Sequence, residues 1–393
     1  MKVCFLLGSG ASVPAGFPKV AEITEKVLSK TQHVGHMAGF DNNFSDGGRN
    51  LLRWLEIQIK RRYVAEGAQA VHYESLYFLA KQIKDDLLDD YDNPAIRPFI
   101  EDADEQVLPM SRGLPGNASD ELQKMAEDVV KYIRRVVASS LSSHQPTRVD
   151  HLDFIVDAIQ QNVGSPPGIL TLNHDTLLEK NLTEKNIEYF DGFAKEPNEM
   201  GVREWLSGKL AGKTDALRVL KLHGGVDWFR FRPEDSKPWL EDYVGIQTPS
   251  YTQDRLDSLR RRHVRLADSL PIFLIGSWDK LTRYTDQIYL EIYYSAFEEM
   301  RTAEMLVIVG YGFGDKGINK LITDWMYSRE KTPKKMLIID ARPLEELRQM
   351  SRGSIAGKLP MWKDEGRLTF WNIPLGSIEV SWERITQVFG HCI

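Results

Sequence analysis

The sequence predicts an α/β fold built on a mostly parallel β-sheet with helices on both faces. Seven short apolar runs, rich in Val, Ile and Leu, each stop at Gly, Asn, Asp or His, as is typical of buried parallel strands. These runs are Val3–Leu7, Gly168–Leu172, Arg218–Leu222, Ile272–Ile275, Met305–Val309, Met336–Ile339 and Arg367–Trp371. Helical patterns lie between several of the runs, so we expect a Rossmann-like arrangement of strands and helices.

A mostly helical module interrupts this pattern between residues 35 and 160. Apolar residues recur there at helical spacing in two stretches. They are Leu76, Leu79, Ile83 and Leu87, and then Leu122, Met125, Val129, Ile133, Val136 and Val137. We therefore predict that residues 1–34 and 161–393 form a Rossmann-like domain, and that residues 35–160 form an inserted helical module.

The segment Arg232–Leu270 is a second, polar insertion, in which we expect a charged helix around Asp254–Asp268. Its basic run, Arg260–Arg265, alternates with acidic residues. A solvated or interface face is therefore favoured over nucleic-acid binding. After the last predicted strand, a short helical tail is expected near Trp382–Phe389.

Composition and charge limit the classes of function. The 393 residues are 42% hydrophobic and 27% charged, and the net charge of −6 gives no overall reason to expect nucleic-acid binding. Cys4 and Cys392 have no neighbour at metal-ligand spacing, and so few cysteines are typical of a reducing cytoplasm. The run Val3–Leu7 is too short for a signal peptide or a membrane span. We expect a cytoplasmic protein without a bound metal.

The first predicted strand leads into a glycine-rich loop, Gly8, Ser9, Gly10, Ala11 and Ser12. Where such a loop opens into a helix, backbone N–H groups favour a pyrophosphate, and small residues let it approach closely. A Gly-x-Gly sequence alone is weak support, because tight turns also need glycine. Its position directly after the first strand favours a phosphate-binding loop.

Two later strands end in polar side chains. Asn173 and Asp175 follow Gly168–Leu172, at the sheet edge where ligands lie in open α/β folds. Asp175 also suits a helix cap. His223 follows Arg218–Leu222 and precedes two glycines, a position in which an imidazole can act as a general base. A lone histidine is more often structural or a solvated loop residue, so both interpretations stay open.

Two further strands end in candidate binding residues. Gly310 begins a Gly-Tyr-Gly-Phe-Gly-Asp loop at residues 310–315. Asp340 follows Met336–Ile339, where an acidic residue commonly accepts hydrogen bonds from a ribose. A helix cap before Pro343 is an equally good interpretation of Asp340.

In chain order, the loop at residues 8–12, the Thr-Leu-Asn-His-Asp segment at 171–175 and His223-Gly224 resemble the signature of sirtuin-like NAD-dependent enzymes. The loop at residues 310–315 resembles that of the sirtuin-like NAD-hydrolase domains of bacterial anti-phage defence systems. The resemblance implies that NAD is the substrate and that Asn173 and His223 are catalytic. It also implies a set of NAD-binding residues, namely Gly8, Ser9, Gly10, Ala11, Ser12, Asp175, Gly310 and Asp340.

Two departures from the deacylase branch of this family bear on the reaction. The chain has no Cys-x-x-Cys pair, so it lacks the zinc module that shapes the peptide cleft of sirtuin deacylases. Leu172 stands where those enzymes usually have Gln. Both features resemble the defence-type domains, which implies an NAD⁺ glycohydrolase that produces nicotinamide and ADP-ribose. The alternatives are a protein deacylase and a non-enzymatic module that senses NAD or ADP-ribose.

The resemblance also implies regulation, since unrestrained NAD hydrolysis would kill the host cell. We expect control through a homo-oligomer or through a separate regulatory protein. In related systems that partner can be a HerA-family ATPase. Membrane binding and direct nucleic-acid binding are not expected.

Overall fold

The computed structural model describes most of the chain, and the structural statements below concern these residues. They are 2–29, 44–62, 71–88, 94–110, 118–162, 164–198, 201–210, 216–232, 242–247, 265–266, 270–275, 287–328 and 334–390. The helices are α1 (Val20–Leu28), α2 (Asp46–Arg62), α3 (Tyr73–Leu87), α4 (Arg97–Val107), α5 (Ala118–Ser142), α6 (Asp153–Gln161), α7 (Leu177–Glu184), α8 (Gln287–Thr302), α9 (Lys316–Met326), α10 (Leu344–Met350), α11 (Ile355–Asp364) and α12 (Trp382–Gly390).

A six-stranded parallel sheet organises the fold. Its strands are β1 (Val3–Leu7), β2 (Gly168–Thr171), β4 (Val219–Lys221), β8 (Met305–Val309), β9 (Lys335–Ile339) and β10 (Leu368–Trp371). They lie in the order β10-β9-β8-β1-β2-β4, so the chain winds outward from β1 first to one side and then to the other. This is the doubly wound order, whose reversal beside the first strand opens a crevice at the carboxyl edge. The predicted Rossmann-like α/β fold is confirmed.

The strands around β1 end level with one another. Leu7 pairs with Thr171 on one side and with Val309 on the other, and Val309 in turn pairs with Ile339. On the far side of β2, Thr171 pairs with Lys221. The loops that follow these strands therefore all start at one edge of the sheet.

Alternate residues of the strands face opposite sides of the sheet and join two separate apolar clusters. One cluster contains Leu6, Leu170, Leu306 and Ile308 from the strands and Ile288, Ile292, Ile318 and Ile322 from α8 and α9. The other contains Phe5, Ile169, Val307 and Leu337 from the strands and Phe154, Leu178 and Ile385 from α6, α7 and α12. Each such side chain, once fully buried, contributes about 1.5–3 kcal/mol of transfer free energy. Helices cover both faces, as the sequence predicted.

One of the seven strand predictions is wrong. Residues Ile272–Ile275 do not join the parallel sheet, and Phe273 instead forms an isolated antiparallel bridge with Gly224. Their backbone hydrogen bonds run to the loop after β4 and to Trp228. The Leu274 N–H donates to the carbonyl of His223 at 2.9 Å, and the Ile272 N–H donates to that of Trp228 at 2.7 Å. An apolar run identifies burial but not the pairing partner, which explains the error.

A second, antiparallel sheet was not predicted. It consists of β3 (Val202–Glu204), β6 (Tyr243–Gln247), β5 (Trp228–Arg232) and β7 (Arg265–Leu266), in the order β3-β6-β5-β7. The predicted charged helix around Asp254–Asp268 lies outside the described residues except at 265–266, which are a strand. The four strands are only two to five residues long, too short for an alternating pattern to identify them.

Backbone contacts divide the chain into two compact units. The first comprises Met1–Lys19, Leu141–Leu274 and Lys280–Ile393 and holds both sheets. The second comprises Val20–Ser140 with Ile275–Asp279, and the long α3 and α5 predicted from their apolar spacing lie in it almost entirely. These limits differ from residues 34/35 and 160/161, and the predicted domain boundaries stay a prediction.

Many apolar side chains of the helical unit are buried. Leu51, Leu55, Leu76, Ile83, Leu122, Val129 and Ile133 are among its buried residues. In the part of the chain that is described, no helix combines the length and the apolarity needed to cross a membrane.

Candidate active site

The loop after β1 packs its backbone against the loop after β8. Gly8 N–H donates to the Val309 carbonyl and Gly10 N–H to the Gly310 carbonyl, both at 2.9 Å. A Cβ on Gly10 would lie 2.7 Å from the Gly310 Cα, and one on Gly310, whose φ is +61°, would lie 2.5 Å from the Ala11 nitrogen. Close backbone packing therefore explains the glycines at residues 10 and 310 without a ligand.

The same loop differs from the predicted phosphate cradle. Residues Ser9–Ala11 and Val13–Ala15 form single 3-10 turns, and the first α-helix begins only at Val20. Within the turns, Ala11 N–H donates to the Gly8 carbonyl and Ser12 N–H to that of Ser9. Four of the five backbone N–H groups at residues 8–12 are thus bonded to carbonyls, and the loop offers fewer amide donors than expected.

Ser12 joins the loop after β1 to the loop after β2. Its hydroxyl donates to Asp175 Oδ2 at 2.8 Å, and its oxygen accepts from Asn173 Nδ2 at 2.9 Å. An ionised carboxylate only accepts, so the hydroxyl hydrogen must point to Asp175 and the Asn173 NH₂ must point to Ser12. This directional chain fixes which way the Asn173 amide is turned.

The orientation of the amide leaves a buried acceptor. Asn173 is 9% exposed, and its Oδ1 has no hydrogen-bond partner among the residues that the structure describes. A buried carbonyl oxygen without a partner costs about 1–3 kcal/mol, which a bound hydroxyl or water would recover. Asn173 Oδ1 is therefore a buried acceptor at this edge that fits a ligand hydroxyl.

Asp175 serves two purposes at once. Its Oδ1 accepts from the backbone N–H of Leu177, the first residue of α7, while its Oδ2 holds Ser12. The helix-start interpretation and the site interpretation of Asp175 thus describe different oxygens of one carboxylate. Burial raises the pKa of Asp175, against the opposing effects of Lys221, the Leu177 N–H and the Ser12 hydroxyl.

Lys221, on β4, fixes the backbone of this segment. Its buried ammonium donates to the Asp175 carbonyl and to Glu179 Oε1, the latter at 2.7 Å. Burial lowers the Lys221 pKa, but the charges of Glu179, Asp227 and Asp175 outweigh burial and leave it raised. The ammonium form therefore persists in the core and holds the loop after β2 in place.

His223 is buried rather than solvated. It follows β4, is 3% exposed, and its Nε2 lies 3.0 Å from Asp315 Oδ2. Its ring centroid lies 6.1 Å from that of His174, which follows β2. The imidazole therefore stands at the same sheet edge as Asn173, outside the Ser12 hydrogen-bond chain.

Asp340, at the end of β9, is bound within its own loop. Arg342 donates from Nε and from its backbone N–H to Asp340 Oδ1, both at 2.9 Å, and from Nη2 to Oδ2 at 2.8 Å. The helix that follows begins at Leu344 with Pro343 at its N-cap, so Asp340 does not cap it. A ribose hydroxyl at Asp340 would share oxygens that already accept from Arg342.

The structure thus brings the predicted residues together unequally. Ser12, Asn173 and Asp175 form one bonded group, and His223 follows the neighbouring strand. Asp340 lies beyond β8, on the other side of β1. Sequence reasoning assigned no role to Asp315 or Lys221, whose partners are 92 and 42 residues away in the chain.

The described residues hold no group of three or more His, Cys, Asp or Glu side chains placed to ligate a metal ion. Cys4 is buried in β1, and burial raises the pKa of its thiol. Cys392 lies outside the described residues.

A family model described as a SIR2-like domain matches residues 167–356. This range contains Asn173, Asp175, His223, Gly310 and Asp340 and four strands of the parallel sheet. The match supports an NAD-dependent activity in general terms.

Among solved structures, the chain is similar to Sir2 bound to an acetylated peptide, at 11% identity and a TM-score of 0.36, covering 99% of this chain and 93% of that one. It is also similar to a complex of Sir2, a p53 peptide and NAD⁺, at 12% identity and a TM-score of 0.33, covering 99% and 94%. Scores this low do not bear on the arrangement of the site. No curated protein matches the chain.

Proposed function

We propose that this protein is an NAD⁺ glycohydrolase that cleaves the nicotinamide–ribose bond and releases nicotinamide and ADP-ribose. The observation that carries the proposal is the buried Asn173 Oδ1, which has no partner among the described residues. Its amide is oriented by Ser12, which is itself bonded to Asp175, at the carboxyl edge of a doubly wound sheet. That edge is where such sheets bind nucleotides.

The residues at this edge suit the reaction. Cleavage builds positive charge on the ribose, and nicotinamide leaves readily, so the protein has to orient the sugar and a water molecule. Asn173 Oδ1 accepts a hydrogen bond from a ribose hydroxyl or from that water. His223 removes a proton from the water or from a ribose hydroxyl. On the family resemblance, Gly8, Gly10, Ala11 and Ser12 contact the pyrophosphate and the adjacent ribose. Asp175 orders the nicotinamide side, and Gly310 and Asp340 lie near the adenosine half.

The test is nicotinamide release by the purified chain supplied with NAD. Asn173→Ala and His223→Ala should each lower kcat by about 10²–10⁴, because one removes the acceptor and the other the base. Asn162→Ala is the matched control and should keep full activity, since Asn162 follows α6 and its side-chain amide bonds, among the described residues, to the Ala158 carbonyl alone. Full activity in both site variants would make the assignment wrong.

The same assay separates the alternative functions. With an acylated peptide present, a protein deacylase would make acylated ADP-ribose, whereas a glycohydrolase makes ADP-ribose with or without the peptide. A sensing module would bind NAD and leave it intact. The absence of any Cys-x-x-Cys pair in the sequence favours the glycohydrolase over the deacylase.

We further propose that the activity is restrained by homo-oligomerisation or by a regulatory protein such as a HerA-family ATPase, in the setting of anti-phage defence. The support is chemical: a free NAD hydrolase depletes the cofactor of its own cell. Gel filtration and nicotinamide release, with and without the ATPase, test the idea. A fully active monomer would contradict it.

A further inference from the structure

We propose that Asp315 is a positioning residue that sets the tautomer and the orientation of the His223 imidazole. The inference rests on the proposed function, in which His223 acts as the base. Its geometry is nevertheless independent of substrate. The side chains of Asp315 and His223 are 3% and 4% exposed, and Asp315 Oδ2 lies 3.0 Å from His223 Nε2.

The two carboxylate oxygens of Asp315 have different hydrogen-bond partners. Oδ1 accepts from the backbone N–H groups of Gly317 and Ile318, at 2.8 and 3.1 Å, and so caps α9. Oδ2 takes no part in the cap and lies on His223. A helix cap needs only one side-chain oxygen, so capping by itself does not explain why the second is directed at a buried imidazole.

The loop that carries Asp315 is fixed on both sides. Tyr311 OH lies 3.1 Å from the Asp315 N–H and from its carbonyl oxygen, and 3.0 Å from Asn319 Oδ1. Asn319 Nδ2 in turn donates to the Phe313 carbonyl at 2.8 Å. Phe313 has a φ of +54°, an uncommon conformation for a side chain of this size, and its side chain is fully buried. Strain of this kind persists where the surroundings hold a functional group in place.

The chemistry of the pair determines the tautomer. An ionised carboxylate can only accept, so His223 Nε2 must carry the hydrogen that lies between the two residues. In the neutral ring the acceptor nitrogen is then Nδ1, and we take Nδ1 as the nitrogen that accepts the proton during catalysis. The carboxylate also stabilises the imidazolium that forms, as the aspartate does in the Ser-His-Asp triad.

The Asp315→Asn variant tests this directly. Its side-chain oxygen can still cap α9, but its amide cannot hold His223 in the Nε2–H tautomer. Its Oδ1 would accept from Gly317 and Ile318 as before, which places Nδ2 opposite His223 Nε2. An NH₂ group only donates, so Nε2 must become the acceptor and the hydrogen must move to Nδ1. In the Ser-His-Asp triad the same change costs about 10⁴ in kcat.

The expected result has a spectroscopic and a kinetic part. Nitrogen-15 NMR of histidine-labelled protein, recorded where the ring is neutral and assigned by the signals that His223→Gln removes, should show an Nε2–H tautomer in the wild type and Nδ1–H in Asp315→Asn. Nicotinamide release should fall by about 10²–10⁴ in kcat, with KM for NAD within about twofold. Asp315→Ser, which also caps α9 but has no second acceptor for His223, should lower kcat as well.

Asp324→Asn is the matched control, since it makes the same chemical change on the exposed side of α9, where Asp324 pairs with Lys320. It should alter neither the tautomer nor the rate. An unchanged tautomer in Asp315→Asn overturns the proposal, and so does an inverted tautomer with wild-type kcat. If the wild type releases no nicotinamide, the proposed function fails, and the NMR comparison alone then decides whether Asp315 sets the tautomer.

Discussion

The loop after β1 meets its two neighbours in different ways. Towards β8 the contact is backbone on backbone, with Gly10 N–H on the Gly310 carbonyl at 2.9 Å and no room for a Cβ on either residue. Towards β2 the contact runs through side chains, from Asn173 to Ser12 and on to Asp175. The first contact involves no side chain that could act in catalysis. The second orients the Asn173 amide and leaves its Oδ1 as a buried acceptor without a partner among the described residues.

This difference changes what the glycine motif means. The glycines at residues 10 and 310 are required by packing whether or not a phosphate binds, so they are weaker support for a ligand than their motif indicates. Ser12, Asn173 and Asp175, by contrast, are connected through hydrogen bonds between their side chains. The proposed chemistry belongs to that side of β1.

The largest predicted effect is a loss of stability when the backbone contact between the loops after β1 and β8 is disturbed. In Gly10→Ala the new Cβ would lie 2.7 Å from the Gly310 Cα, so the two loops must separate, and the free energy of unfolding should fall by about 3 kcal/mol. Urea unfolding followed by tryptophan fluorescence measures this. Gly314→Ala is the control, since its Cβ would have no atom within 4 Å and its stability should change by under about 1 kcal/mol. Equal losses in the two variants would contradict the packing explanation.

A change in the side-chain contact between the loops after β1 and β2 should lower kcat. In Asp175→Asn, Oδ1 can keep the Leu177 N–H, which turns Nδ2 towards Ser12 and reverses the chain, so that Asn173 presents NH₂ instead of its carbonyl oxygen. We expect kcat for nicotinamide release to fall about 100-fold at neutral pH, with stability little changed.

Protonation of Asp175 should also determine how kcat for nicotinamide release falls at acidic pH. Burial raises its pKa, so protonation begins at a higher pH than for an exposed aspartate, and kcat should fall as the pH drops through that raised value. Asp175→Asn has no carboxylate there, so the ratio of wild-type to variant kcat should fall over the same range. A ratio that does not change with pH would assign the acid limb to another group.

The smallest effect is expected at Asp340, which follows β9, two strands away from β1. Asp340→Asn keeps an acceptor for the Arg342 backbone N–H but weakens the charged contact, and a ribose hydroxyl there would lose part of its bond. The Kd for NAD, measured by calorimetry, should rise about tenfold, or about 1.4 kcal/mol, while kcat stays unchanged. Glu345→Gln, at an exposed pair with Arg348, should leave Kd as it is. A fall in kcat at Asp340→Asn would place residue 340 in the chemical step.

Much of the fold could be predicted because the signals for it are local. Val3–Leu7 and Met305–Val309 were predicted to the residue, and four further runs agreed with the observed strands to within a residue at each end. Ile272–Ile275 failed because an apolar run does not reveal its pairing partner, and the antiparallel sheet was missed because its strands are short and only partly apolar.

The sequence by itself determined which segments are buried strands, and that Asn173, His223 and Asp340 follow them. The tertiary structure alone decided which of these residues meet. Ser12 reaches Asp175 across 163 residues of chain and His223 reaches Asp315 across 92, and both contacts depend on the order in which the strands lie side by side. Hydrophobic periodicity is a property of a few neighbouring residues, whereas strand order is settled by the packing of the whole sheet.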